Sequence, residues 1–259
     1  MKPNVMMCDG LEAATLTASG GSATGYPLTH LQDRRYATQW KSGATTANQT
    51  LEVQVPNPGL VDSLLIANHN LTATGISSLR LDWYDGDNWN VSNTLTDFPD
   101  PLFVTEVHGG DKHRLVFVKT SALSAAPQLG MLMLGKRVEL PLHSNSPERG
   151  PEADVEVDES ISGLRFGSSV RAHRERFNLS LNVLKTLDHA EFCRLHKTVN
   201  GREKPFWWRD MDLNWHFVRL DRNHLPSVSR GNLFFAVRQL EMSEERVGTT
   251  LNLPGGYSV

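Results

Sequence analysis

The side chains best suited to recognition chemistry cluster around one polar turn. Trp83, Tyr84 and Trp89 flank the run Asp85-Gly86-Asp87-Asn88. Exposed aromatic faces stack well on sugar rings, which makes Tyr84 and Trp89 the candidate glycan contacts. The competing reading is ordinary packing: period-2 alternation buries Trp83 and puts Tyr84 on the opposite face. Asp82, Asp85 and Asp87 offer the oxygens that a hard cation takes, but EF-hand spacing is absent. Acidic residues beside glycine are common turn chemistry, so the turn reading stands and no metal or other cofactor is expected. His189 and His196 are seven apart on an expected helix, whereas helical zinc sites favour an i, i+4 pair. Together with His173, His216 and His224 they read as histidines without a metal.

Catalytic signatures are missing. The chain has no GxSxG, HExxH, Walker or Rossmann glycine pattern. A carboxylate pair for glycoside hydrolysis meets only in the folded protein, so a glycan-processing enzyme stays as a third reading behind two binding classes. The expectation is a protein that is not an enzyme.

Two further groups point to surfaces. Phe206, Trp207 and Trp208 precede Arg209 in one short strand-like run. Successive strand side chains point to opposite faces, so both faces of this strand carry large aromatics. Either both are covered within the domain, or one meets a neighbouring subunit across an interface that includes Arg209. Glu152, Asp154, Glu156, Asp158 and Glu159 form an acidic segment just before the basic positions Arg165, Arg171, Arg174 and Arg176. It reads as a solvated loop, as a set of ion-pair partners, or as a surface that repels nucleic-acid phosphates.

Composition limits the classes. At 259 residues two domains are expected, each able to bury its own core. With 26 basic against 29 acidic residues, bulk charge gives no support to a nucleic-acid-binding surface. Cys8 and Cys193 lie far apart and outside any CxxC pair, so reduced thiols are expected rather than a disulfide. The start, MKPNVMMCDG, lacks the apolar core of a signal peptide, and no apolar run reaches membrane-spanning length. A soluble protein without membrane insertion is expected.

The elements that must position these groups are mostly strands. In residues 31–55 an Asp-Arg-Arg loop leads to Trp40, and Leu51, Val53 and Val55 then alternate as in a half-buried strand. A second strand is expected over residues 60–71, with others over 79–85, 103–107, 113–120 and, continuously apolar, 128–138. Residues 85–88 form a hairpin turn. Residues 1–140 are therefore expected as an all-β sandwich, and 141–160, rich in Pro, Ser and charge, as a linker or long exposed loop. From 161 to 259 the pattern is two strands, a helix over 186–201 and three strands, an α+β barrel or sandwich. Thr186 or Asp188 would cap the helix and Asn200-Gly201 would stop it.

The first half resembles the galactose-binding-like (discoidin-type) jelly rolls, in particular those of bacteriophage tail proteins, on the strength of residues 31–71. The second half is similar to the split β-barrel of tail-tube and distal tail proteins. The matching positions are Leu179, Leu181, Phe192, Gly201, Pro205, Phe206, Trp207 and Asp210, followed by the closing NLFFAVRQLEMSEE. One departure is the order, because the sandwich precedes the barrel here. The resemblance implies a structural protein near the tip of a phage tail, made in the bacterial cytoplasm and carried in the virion tail. It implies a homo-oligomeric ring, hexamer or trimer, contacting neighbouring tail-tube and tail-tip proteins, with DNA only as passing cargo. In that ring the acidic segment would face the channel, and the sandwich would dock tail proteins or a host surface glycan. The alternative is a monomeric carbohydrate-binding module.

Overall fold

The computed structural model describes residues 4–7, 11–56, 61–140, 148–152, 156–159, 165–168, 174–184, 186–221, 228–230 and 235–245. The chain forms two compact units, one of Met7–Arg137 and the other of Met1–Met6 with Val138–Val259. It is mainly β, as its patterns of alternation imply.

Strand β1 (Asn4–Met7) opens the chain. The sandwich follows with β2 (Thr15–Ala18), β3 (Trp40–Lys41), β4 (Gln49–Gln54), β5 (Ser63–His69), one helical turn α1 (Leu71–Thr74), β6 (Ser78–Tyr84), β7 (Trp89–Leu95), β8 (Leu102–Thr105), β9 (Lys112–Val118) and β10 (Gln128–Gly135). These make a four-stranded sheet in the order β3-β10-β5-β8 and a five-stranded sheet in the order β2-β4-β9-β6-β7. Neighbouring strands in both sheets pair antiparallel.

Alternation sets the inner face. Leu51 and Val53 on β4, Leu79 and Leu81 on β6, and Leu115 and Phe117 on β9 are buried in one core with Leu64, Ile66, Leu132 and Leu134 of the facing sheet. Each such side chain contributes about 1.5–3 kcal/mol by leaving water. Strand β10, in the middle of its sheet, is buried from Leu129 to Gly135, as its unbroken apolar run requires. Gly130 lies so close to Asn68 that a Cβ would come within 2.7 Å of that side chain.

The Asp-Arg-Arg loop turns out to be structural. Asp33 accepts hydrogen bonds from the Arg35 amide and the Thr38 hydroxyl, closing a turn. Arg34 folds inward to Glu12 at 2.5 Å. Trp40 is buried and donates its Nε1 hydrogen to Ser22 Oγ at 3.1 Å.

The second unit contains β11 (Val138–Leu140), β12 (Glu148–Glu152), β13 (Glu156–Glu159), β14 (Arg165–Ser168), β15 (Arg174–Leu184), α2 (Thr186–Thr198), β16 (Phe206–Arg209), β17 (Trp215–Leu220), β18 (Val228–Arg230) and β19 (Phe235–Glu244). Its main sheet runs β11-β1-β16-β17-β19-β15-β12, with β18 paired to β19. This half is α+β, and no described pairing bridges its end strands β11 and β12. Helix α2 buries Phe192 and Leu195 and ends as expected at Asn200 and Gly201, whose φ angles are +50° and +63°. The Gly201 amide donates back to the His196 carbonyl at 3.1 Å, which closes the helix end.

The boundaries differ from the expected ones in two respects. Residues 4–6 pair with 138–140, so both ends of the 1–140 segment join the second unit's sheet. Residues 128–138, read as one strand, break after Gly135 for that reason. The stretch expected as a linker holds two strands: β12 pairs with β15, and β13 pairs with β14. Low apolar content had hidden them, because backbone ladders form whatever the side chains are.

Candidate binding surface

The outer face of the five-stranded sheet carries the polar and aromatic groups. Arg80, Asp82 and Tyr84 alternate with core Leu79 and Leu81 on β6, and Lys112 and Arg114 alternate with His113 and Leu115 on β9. Asp82 stands opposite Arg114 across one ladder and opposite Val91 across the other. Tyr84 stands opposite Trp89, with ring centres 5.3 Å apart and planes tilted by 51°. The two candidate glycan contacts are thus neighbours on one face, each half-buried.

A cation backs each ring. The Arg114 guanidinium carbon lies 4.4 Å from the Trp89 centre, and Lys112 Nζ lies 5.4 Å from the Tyr84 centre. Asp82 organises the arginines. It takes Arg80 Nε at 2.7 Å on one oxygen, and Arg80 Nη2 at 3.0 Å and Arg114 Nε at 2.8 Å on the other. Although it points outward it is 1 % exposed, because the guanidinium groups close over it. A carboxylate with both oxygens occupied this way fixes the geometry of its partners. The surface offers aromatic faces, guanidinium donors and an ammonium in a fixed array.

The adjoining turn is as expected. Asp85 accepts from the Asp87 and Asn88 amides and from Asn90 Nδ2 at 2.9, 2.7 and 2.6 Å. The two amides, then Asn90, hold its carboxyl below the usual range. Trp83 departs from expectation: it is half-buried and stacks on His108 at 4.7 Å. Among the described residues no group of three His, Cys, Asp or Glu side chains gathers as metal ligands would.

Arg80, Lys112 and Arg114 did not stand out in the sequence, and Asp82 did so only as an oxygen donor beside the turn. Their signal was available in the same period-2 alternation that marked the core, but which strands lie side by side was not.

In the second unit the aromatic run is internal. Phe206, Trp207 and Trp208 are 0, 4 and 0 % exposed. Trp208 meets Phe177 edge-on at 5.0 Å, Trp207 lies 5.2 Å from Phe217, and Arg209 sits over Trp215 at 5.6 Å. Phe206, Trp207 and Trp208 thus follow the internal of the two readings, with both faces of β16 covered by this chain's own elements, whereas Arg209 stays half-exposed. Of the acidic segment, Glu152 stands opposite Arg174, and Glu159 opposite Arg165, in backbone ladders. Glu156 and Asp158 lie on β13 as well, so these positions belong to strands rather than a loop. Asp154, Cys8, His173 and His224 lie outside the described residues.

Among the described residues, His189, His196 and His216 do not gather into one site. His189 lies 3.8 Å from Cys193 Sγ on α2. His216, on β17, is buried between two carboxylates, with Nε2 at 3.1 Å from Asp210 and Nδ1 at 4.0 Å from Glu244. Burial opposes its charge, but Glu244 and Asp210 together outweigh it and raise the pKa. The 3.1 Å contact with Asp210 is the hydrogen bond, and Glu244 acts through its charge. In the sandwich, burial lowers the pKa of His113, against the opposing pull of the Gly110 carbonyl and Asp111.

No family model matches the chain, and no curated protein matches it. Several solved structures are similar to about half of it. A chitosan-binding module from a Paenibacillus chitosanase/glucanase is 20 % identical, over 48 % of this chain and 97 % of that one, with a TM-score of 0.40. The family 32 carbohydrate-binding module of Clostridium perfringens NanJ, in complex with galactose, is 13 % identical over 51 % and 98 %, with a TM-score of 0.41. Another Clostridium perfringens family 32 module, in complex with GalNAc-β-1,3-galactose, is 11 % identical over 49 % and 99 %, with a TM-score of 0.41.

Proposed function

We propose that this is a non-catalytic binding protein whose sandwich presents the Tyr84–Trp89 platform to a saccharide. The observation that carries this reading is the pair of half-buried rings on one sheet face, each backed by a cation and set beside the Asp82-anchored arginines. Rigid aromatic faces cover the C–H faces of a sugar, while guanidinium and ammonium groups donate to its hydroxyls. Fixing these side chains beforehand reduces the entropy lost on binding. A glycan array probed with the full chain, followed by calorimetry on the best ligand, tests it. Tyr84→Ala and Trp89→Ala should each weaken binding by about tenfold or more, or about 1.4 kcal/mol. A ligand whose affinity ignores both substitutions sinks the reading.

A second reading, a structural component near the tip of a phage tail, is favoured by a different observation. The sequence order that resembles tail-tube and distal tail proteins is realised element by element as β15, α2, the Gly201 turn, β16 and Asp210. In this reading the second unit assembles into a hexameric or trimeric ring with its acidic strand positions toward the channel. The sandwich then docks neighbouring tail proteins. Negative-stain microscopy with light-scattering mass tests it: rings with a central hole support it, and an absence of rings even beside neighbouring tail proteins counts against it.

A further inference from the structure

Among the described residues four large apolar side chains are exposed, and two of them, Met211 at 44 % and Leu213 at 66 %, sit on the turn between β16 and β17. Leu213 has φ +68°, a backbone conformation that costs a branched side chain energy. Asp210 holds it there: the Leu213 amide donates to the Asp210 carbonyl at 3.2 Å, and the Asn214 amide to Asp210 Oδ1 at 2.8 Å. The other oxygen of Asp210 is engaged by His216 at 3.1 Å. The result is a fixed knob, Met211-Asp212-Leu213, with an exposed carboxylate between two apolar side chains.

The opposite end of the same hairpin carries a cavity of about 700 Å³ beneath the end of α2, lined in part by His196, Lys197, Arg202, Glu203 and Arg219. Arg219 is fixed by the carbonyls of Arg202 and Glu203 and by Glu245 at 2.5 Å. Lys197 and Arg202 are exposed and supply charge opposite in sign to Asp212, against one exposed carboxylate of the lining, Glu203, which accepts from Asn200. Strand β16 separates knob from cavity by ~13 Å at about 3.3 Å per residue, so one chain cannot fill its own cavity with its own knob.

We infer that the knob of one copy of this chain enters the cavity of a second copy, making a head-to-tail contact through the second unit. Met211 and Leu213 occupy part of the cavity, against the aliphatic stems of its Lys and Arg side chains, and Asp212 meets Lys197 and Arg202. A heterologous contact of this kind closes into a ring or runs on as a filament, depending on the rotation between copies. The inference does not depend on the saccharide reading. It gives the ring reading a specific contact but does not require closure.

Sedimentation velocity on the full chain over a concentration series tests it. Association is expected in the wild type, weakened by about tenfold in Leu213→Ser and in Asp212→Lys. The double variant Lys197→Glu with Arg202→Glu should show the same loss. Combining that double variant with Asp212→Lys should restore association, an outcome that simple damage to the fold would not produce. Circular dichroism and melting points of the variants serve as the folding control. Association that ignores all these substitutions overturns the inference. So does a wild-type chain that stays monomeric up to its solubility limit, which would leave the cavity to another protein or an anionic ligand. Association without closed rings leaves this contact standing while the ring reading fails.

Discussion

Arg114 is stacked over Trp89, its guanidinium carbon 4.4 Å from the ring centre, while its Nε stays 2.8 Å from Asp82. One arginine therefore links a buried carboxylate on β6 to an aromatic on the edge strand β7. The platform is a cross-strand assembly, and its rigidity depends on Asp82.

Asp82→Ala should leave Arg80 and Arg114 without their shared partner. Removing one member of a buried pair costs about 3–5 kcal/mol, but both arginines keep water access, which reduces the expected loss to about 1–3 kcal/mol. Urea unfolding followed by circular dichroism measures it. Saccharide affinity should fall as well, because Arg114 is then no longer fixed over Trp89. An unchanged midpoint would show that solvent already screens the cluster.

Trp208 and Trp89 should behave as opposites. Trp208→Ala removes a fully buried ring packed on Phe177 and should cost about 3–5 kcal/mol in the second unit. Trp89→Ala lies on a half-buried surface and should cost about 1 kcal/mol or less beyond its lost contacts. Thermal melts of the two variants at low protein concentration separate them. If Trp208→Ala were harmless in the unassociated chain, β16 would not be the internal strand described above.

The units should respond to pH in opposite directions. His216 has a raised pKa in the fold, so its contribution is fully present below the unfolded value of about 6.5 and is lost as pH rises through the folded value. His113 has a lowered pKa, so its neutral form is stabilised and the sandwich loses stability as pH falls below about 6.5. Melts between pH 5 and 8 should narrow in His216→Gln for the second unit and in His113→Leu for the sandwich. Parallel wild-type and variant pH profiles would remove these histidines as the cause.

Gly201→Ala should destabilise the end of α2 by about 1 kcal/mol, because φ is +63° where the helix closes. Hydrogen exchange at the Gly201-equivalent amide and at Lys204, which donates to the Val199 carbonyl at 2.9 Å, should quicken. Unaltered protection would place the helix stop elsewhere.

Local pattern determined much of this protein. Leu51, Val53 and Val55 alternate in sequence and face one core, because strand side chains repeat every two residues. Asn200 and Gly201 stop α2 because they tolerate left-handed backbone, and Asp85 shapes its turn by hydrogen bonds to amides two and three residues on. Each of these effects acts over a few residues and is therefore legible in one dimension.

Tertiary pairing decided the rest. Residues 4–6 left the sandwich for the second unit because their ladder partner, residues 138–140, lies far along the chain. The aromatic run at Phe206, Trp207 and Trp208 became core because Phe177 and Phe217 cover it, which no local pattern reveals. The binding platform arose the same way. Asp82 and Arg114 are ordinary residues 32 positions apart until β6 and β9 pair, and that pairing puts a carboxylate, its arginines and two rings on one face. Alternation assigns each side chain to a face of its own strand, but only the register between strands brings those faces together.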